Sequence, residues 1–196
     1  MESIIYLASA SPRRTELLTQ IGVSHLCQPV DIDETPMLGE EPADYVIRMA
    51  TSKADAWLKH PDRDRELPVL GADTTVIQNN QFLHKPSGKQ DAFRMLRQLS
   101  GEKHQVLSAV CVMDSQRCHS RISKTDVHFK ELSDEEIELY WLTGEPADKA
   151  GAYGIQGLAS AFVSSINGSY SGVVGLPLFE TIELLNQFGI NPLRGY

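Results

Sequence analysis

The segment Ser9-Ala10-Ser11-Pro12-Arg13-Arg14 constrains this chain most, because it joins two different periodicities and sets two arginines where an isolated helix disfavours them. Upstream, Ile4-Ile5-Tyr6-Leu7-Ala8 is a short apolar run that reads as a buried strand; downstream, Leu17, Leu18 and Ile21 form a helical stripe closed by Gly22. A strand-to-helix turn is therefore expected. Ser11 suits the N-cap and Pro12 the first helical position, so Arg13 and Arg14 fall in the first turn among unpaired backbone N–H groups. That end of a helix is already positive, and each arginine there is unfavourable by roughly 0.3–1 kcal/mol unless an anion sits among the donors. Two explanations fit: a bound anion, with phosphate the natural resident, or arginines turned to solvent and paired with surface carboxylates.

At 196 residues the chain can enclose one sizeable core, so a single domain over residues 1–196 is expected, with two lobes allowed. Eighteen Lys and Arg against 26 Asp and Glu leave a formal net charge of -8, which argues against a long basic surface for polymeric nucleic acid. The basic turn is thus local and suits a small anionic ligand. Cys27, Cys111 and Cys118 are odd in number and form no CxxC, so neither a disulfide framework nor a zinc ribbon is indicated. The first residues lack the basic start of a secretory signal, and no stretch approaches about 18 consecutive apolar residues. A cytoplasmic protein without a membrane span is expected.

Further along, Ser24 to Val30 reads as a second strand and Asp31-Ile32-Asp33-Glu34 as an acidic turn. Pro42 starts a helix whose stripe is Tyr45, Val46, Met49, Ala50, Ala54, Trp57 and Leu58, and which stops before Pro61. Lys53 interrupts that stripe, four residues from both Met49 and Trp57, so its ammonium must snorkel to solvent or meet an anion. Leu67 to Ile77 contains a strand broken by Gly71-Ala72-Asp73-Thr74, where Asp73 is either a catalytic acid at the carboxyl edge of a sheet or the start of an Asx turn. Asn79-Asn80 makes a tight hairpin turn, and Lys89 to Ser100 is a helix with Ala92, Phe93, Leu96 and Leu99 inward and Gly101 as its stop. Gln105 to Met113 and Arg117 to Phe129 read as an antiparallel pair, and Ser133-Asp134-Glu135-Glu136 as a capping box opening a helix that buries Ile137, Tyr140 and Trp141.

The loop Asp148 to Gly157 has glycines at every third place; it is not a GxGxxG fingerprint, and it leaves room for backbone to approach a ligand closely. Ala161 to Ile166, an Asn167-Gly168 turn and Ser169 to Val174 read as a hairpin, and Pro177 opens a last helix with Leu178, Ile182 and Leu185 on one side. The fold class is α/β, a mixed sheet flanked by helices with the site in a cleft.

The GxxxxGK[ST], HExxH and GxSxG patterns are all missing, and the six histidines form no ligand-spaced pair, so each reads as a surface or satisfied side chain. What remains is Arg13, Arg14, Lys53 and Lys85 against Glu34, Asp73, Asp126 and Asp148. Polyphosphate hydrolysis uses such a mixture, cations neutralising phosphates while carboxylates hold Mg²⁺ and activate water. Any one of these residues taken alone is equally a surface ion-pair partner.

Ser9-Ala10-Ser11-Pro12-Arg13-Arg14, Gly71-Ala72-Asp73-Thr74, Lys85-Pro86, Asp148 to Gly157, Asn167-Gly168-Ser169-Tyr170 and Val174-Gly175-Leu176-Pro177 resemble the signatures of the Maf family, in the family's order and over nearly the whole chain. The resemblance implies a house-cleaning nucleoside triphosphate pyrophosphatase with a bilobed, inosine triphosphatase-like body, an elongated twisted sheet and a central cleft. It also implies a divalent cation, Mg²⁺ or Mn²⁺, a possible homodimer, and a link to septum formation and division arrest. Position by position, Asp73 matches the proposed general base, and Glu34 with Asp73 the residues near the metal. Ser9, Ser11, Arg14, Lys53 and Lys85 match substrate-binding positions, and Arg13, Thr74 and Gln156 those of the branch that prefers dTTP and UTP over 7-methyl-GTP.

The mechanism so implied is attack of an activated water at the α-phosphorus, with Asp73 taking the proton and a monophosphate and pyrophosphate as products. The Gln156 amide carries both a donor and an acceptor, matching the O4 and N3–H edge that uracil and thymine share. The competing class is a nucleotide-binding regulator of septum formation without important turnover, for which a base such as Asp73 has no use.

Overall fold

In the computed structural model, which describes residues 5–64 and 66–192, the first apolar run becomes β1, Ile5–Leu7, buried throughout; Ile4 lies outside the described residues. The chain then turns into α1, Pro12–Gln20, with Leu17 and Leu18 buried and Gly22 in the left-handed region at φ 73°. Ser11 stands at the N-cap with extended backbone, but its side chain makes no capping hydrogen bond. The second strand, β2, is shorter than expected, His25–Cys27, with His25 half-buried and Leu26 and Cys27 exposed. Next comes α2, Pro42–Leu58, which buries Tyr45, Val46, Met49, Ala50, Ala54 and Trp57 along the predicted stripe, each large apolar side chain contributing roughly 1.5–3 kcal/mol.

The long strand β3, Val69–Gln78, runs through Gly71-Ala72-Asp73-Thr74 without a break. This corrects the expected interruption: Gly71 is required by packing, as described below, and not by a turn. A hairpin with Asn79 and Asn80 at φ 49° and 60° leads into β4, Gln81–Leu83, as their tolerance of positive φ predicts. After α3, Lys89–Leu99, the strands β5, Lys103–Met113, and β6, Cys118–Phe129, are joined by a turn closed by Asp114 N–H donating to the Arg117 carbonyl at 2.9 Å. The helix α4, Asp134–Leu142, carries the complete Ser133–Glu136 capping box.

The expected hairpin over 161–174 does not form. Val163–Asn167 is β7, antiparallel to β6, whereas Tyr170–Val174 is a short helix, α5. Because β6 already supplies the partner of β7, the chain after Gly168 is free to turn helical, and Ser169 accepts from Gly172 N–H through its side chain and from Val173 N–H through its carbonyl. The last helix, α6, Leu178–Gln187, buries Thr181, Leu184 and Leu185; Leu178 and Ile182 are only half-buried, as are Phe93 and Trp141.

The sheet order is β2-β1-β3-β5-β6-β7, with β4 paired to β3. Parallel β1–β2 and β1–β3 pairs beside antiparallel β3–β4 and β6–β7 pairs make it a mixed sheet, as expected. The chain divides into two compact units, one comprising Met1–Asp73, Ser108–Ser123 and Gly175–Tyr196, the other Thr74–Leu107 and Lys124–Val174. The second unit is centred on an aromatic cluster in which Phe129 meets Tyr153 edge-on at 4.8 Å and His104 at 5.1 Å. His104 is therefore neither a surface side chain nor fully satisfied. Its Nε2 pairs with the Tyr153 hydroxyl at 2.8 Å, its Nδ1 has no partner among the described residues, and burial, with His128 nearby, lowers its pKa to about 4.

Candidate active site

Alternate residues of a strand share a face, so Asp73 projects on the same side of β3 as Gly71. A Cβ at Gly71 would lie 2.2 Å from the Ala50 carbonyl oxygen and 2.7 Å from the Ala54 backbone nitrogen, both in α2. The missing side chain lets the helix backbone lie directly on the strand. Lys53, next to Ala54, then reaches Asp73 Oδ1 at 2.7 Å, and its ammonium also meets Glu34 Oε1 at 2.6 Å. Of the two alternatives open for Lys53, the anion is the one realised. The Lys53 and Asp73 side chains are 12% and 10% exposed while that of Glu34 is 54% exposed, so a sequestered ion pair carries a second, accessible carboxylate at its edge. One cation between two carboxylates leaves the group net negative.

Glu34 lies on the loop between β2 and α2, and α2 fixes that loop from two positions. The Tyr45 hydroxyl donates to the Glu34 carbonyl at 2.9 Å, and Arg48 donates to the Thr35 carbonyl at 3.1 Å. Arg48 also grips Glu40 with two bonds of 2.6 and 2.7 Å, holding that carboxyl at a pKa of about 2. The Tyr45 phenol moves the other way, to about 12, through burial first and then the Asp73 and Glu34 charges. Sequence reading counted Tyr45 as core and did not single out Arg48. Its signal was a cation beside the apolar stripe within reach of an acidic turn.

At the β1–α1 turn, Ser9 Oγ accepts from Ser11 N–H at 3.1 Å and from Arg14 Nη1 at 3.0 Å, while Arg14 Nε donates to the Gly175 carbonyl at 2.8 Å. Arg14 is thus tied inward instead of turned to solvent. Burial lowers its pKa, Asp73 and Glu34 oppose that shift, and Arg13 reinforces it. Ser9, Arg14, Lys53, Asp73 and Glu34 all belong to the first unit, and Arg13 and Ser11 share the turn with Arg14.

Thr74, Lys85 and Gln156 belong to the second unit, Thr74 half-buried on β3, Lys85 exposed after β4, and Gln156 exposed. Gly157 N–H donates to the Gly154 carbonyl at 3.1 Å, so Ile155 and Gln156 form the corners of a tight turn, Ile155 buried and Gln156 outward. The glycines spaced in threes make room for the protein's own side chains. A Cβ at Gly151 would lie 3.1 Å from Val76 Cγ1, at Gly154 2.7 Å from Lys149 Cε, and at Gly157 2.2 Å from Glu145 Oε2. Asp126 and Asp148 are used locally, Asp126 by Lys103 at 3.3 Å and Asp148 by Lys149 at 2.7 Å, so neither joins the Asp73 group.

Among the described residues no three His, Cys, Asp or Glu side chains gather as a metal cage, and no helix is long and apolar enough to cross a membrane. A buried carboxylate paired to a lysine, an accessible acid beside it, and an inward-held arginine on a strand-to-helix turn of an α/β sheet are an arrangement chemically suited to an anionic ligand. The chain belongs to the Maf family: the Maf-like protein family matches residues 4–188. It is 51% identical over 188 residues to the dTTP/UTP pyrophosphatase of Pseudoalteromonas atlantica, covering 95% of this chain and 98% of that one. It is 50% identical to that of Nitrosomonas europaea, covering 95% of each chain, and 52% identical to that of Shigella sonnei, covering 97% and 94%. Among solved structures it is similar to the Staphylococcus aureus Ham1 protein, with a TM-score of 0.42 at 14% identity over 66% of this chain and 72% of that chain.

Proposed function

We propose that this protein is a nucleoside triphosphate pyrophosphatase that hydrolyses dTTP and UTP to the monophosphate and pyrophosphate. The observation that carries the reading is the Lys53 ammonium held between Asp73 and Glu34, in a chain about half identical to proteins of that named activity over nearly its whole length. Asp73 is the general base. Its place at 7% exposure, on a face closed by α2, keeps its carboxylate out of bulk water, and the contact with Lys53 fixes one oxygen and leaves the other to take a proton. Lys53, Arg14 and Lys85 bind phosphate oxygens, and the two first-unit cations stabilise charge that grows on the departing pyrophosphate. Ser9 fixes the Arg14 guanidinium, which keeps that donor preorganised.

Glu34 and Asp73 fit a divalent cation of the Mg²⁺ or Mn²⁺ type. Such ions are commonly held by one or two carboxylates together with substrate phosphates, which agrees with a two-carboxylate set that has no third protein ligand among the described residues. When bound, the cation supplies Lewis-acid polarisation of phosphoryl oxygen and lowers the pKa of water. Thr74, Arg13 and Gln156 set the preference for the base, Gln156 through the donor–acceptor edge that uracil and thymine share.

The test is product identity. Purified protein with Mg²⁺ or Mn²⁺ and each common nucleoside triphosphate is expected to release pyrophosphate and monophosphate, fastest from dTTP and UTP. Stoichiometric orthophosphate with a diphosphate left over overturns the reading.

A further inference from the structure

Glu145 lies eleven positions before Gln156 in the chain and is bonded to the turn that carries it. The Tyr140 hydroxyl donates to Glu145 Oε1 at 2.7 Å and accepts from Gly154 N–H at 3.2 Å. Glu145 Oε2 accepts from Leu158 N–H at 2.9 Å, and Oε1 lies 3.5 Å from Ala159 N. The turn that carries Gln156 is thereby held at both ends: at Gly154 through Tyr140, and just past Gly157 by the carboxylate itself. Gly157 lacks a side chain because that carboxylate occupies the place of its Cβ.

We infer that Glu145 is a positioning residue for base selection, its one carboxylate fastening both shoulders of the Gly154–Gly157 turn and so setting the direction of the Gln156 amide. The inference rests on the reading of Gln156 as the residue that selects uracil and thymine. Discrimination by an amide needs that amide preorganised, since a side chain free to turn over would offer its donor or its acceptor to any base. Apart from these anchors, the turn that carries Gln156 is closed by one backbone hydrogen bond at 3.1 Å. Glutamate suits the task because a carboxylate is acceptor-only, and the donors facing it are the Tyr140 O–H and the Leu158 and Ala159 N–H groups. An amide in its place would turn an NH₂ toward one of those donors. Among the described residues neither the Glu145 carboxylate nor the Tyr140 hydroxyl bonds to Arg14, Lys53 or Lys85, so a change at Glu145 should alter base preference without altering how phosphates are held.

The experiment compares kcat/KM for UTP, dTTP and CTP, inhibition by pyrophosphate, and urea unfolding in the wild type, Glu145→Gln, Tyr140→Phe and Gln156→Glu. Glu145→Gln is expected to lower the UTP-to-CTP preference about tenfold, chiefly through a higher KM for UTP, with pyrophosphate inhibition unchanged. Tyr140→Phe releases only the Gly154 shoulder and is expected to lower the preference about threefold. A purely structural role would weaken all substrates and pyrophosphate together, and that result overturns the inference. So does a wild-type preference in folded Glu145→Gln; if that variant does not fold, Tyr140→Phe decides by the same criterion. Preference lost in Gln156→Glu but kept in Glu145→Gln overturns the positioning role alone. A wild type indifferent between UTP and CTP, or a Gln156→Glu enzyme that keeps the preference, overturns the reading of Gln156 and the positioning role with it.

Discussion

Gly71 in the first unit and Gly157 in the second each stand where a Cβ atom would lie 2.2 Å from an oxygen, yet the two oxygens are unlike. At Gly71 it is the Ala50 carbonyl, part of a helix anchored by the buried Val46, Met49 and Ala54. At Gly157 it is the end of the Glu145 side chain, which can rotate aside at the expense of its hydrogen bonds. A helix backbone cannot withdraw without unpacking its apolar face, whereas a carboxylate can. The same residue type therefore guards packing in one unit and orientation in the other. A glycine in a sequence states only that something occupies the space of its side chain.

The sharpest break of that contrast lies beside Gly71. Asp73→Asn keeps the side-chain volume on the α2-facing side of β3 but removes the base and one of the two carboxylates on Lys53. UTP turnover is expected to fall at least about a hundredfold with nucleotide binding largely retained, measured by product release and by equilibrium binding. Near-normal turnover would move the base to Glu34, the other carboxylate on Lys53. The next effect is on stability. Gly71→Ala forces a Cβ against helix backbone on two sides and is expected to lower the unfolding free energy by about 2–3 kcal/mol in urea titration. A loss below about 0.5 kcal/mol would show that α2 yields as easily as a side chain, and the contrast between the two glycines would be gone.

Features whose partners lie within a few residues were legible in the sequence. The Ser133–Glu136 capping box and the Asn79-Asn80 turn at positive φ formed as read, and so did the buried face of α2 except for Leu58, which is only half-buried at the helix end. The Asn167-Gly168 signal was equally strong locally and misled, because β7 finds its partner in β6 and a Cβ at Gly168 would lie 2.7 Å from Thr125 Oγ1, a contact across the sheet. Lys53 shows the same limit in the site: its place on an apolar face demanded an explanation, but its two carboxylates arrive from a loop and a strand remote in sequence. Cys111 and Cys118, with Sγ atoms 3.7 Å apart across the β5–β6 turn, escaped a search for CxxC spacing for that reason. Residue types at the site were readable one by one. What Glu145 and Arg48 hold in place depends on hydrogen bonds to backbone, which leave no mark in side-chain chemistry.

The smallest expected effect is at Gly157, and it distinguishes orientation from stability most directly. Its backbone, at φ -103° and ψ -151°, is open to any residue, so alanine there meets no dihedral strain and gains a little by restricting the unfolded chain. The added Cβ instead evicts the Glu145 carboxylate, releasing Leu158 N–H and the Tyr140 hydroxyl from their acceptor. Leu158 is exposed and its N–H can turn to water, whereas the hydroxyl of the buried Tyr140 loses its acceptor, so the unfolding free energy is expected to fall by about 1 kcal/mol. The UTP-to-CTP preference should fall by about as much as in Glu145→Gln, roughly tenfold, because both substitutions free the same turn. Measured together, kcat/KM ratios and urea midpoints separate the two outcomes: Gly157→Ala with full preference and a stability loss as large as that of Gly71→Ala would make Gly157 a packing glycine like Gly71.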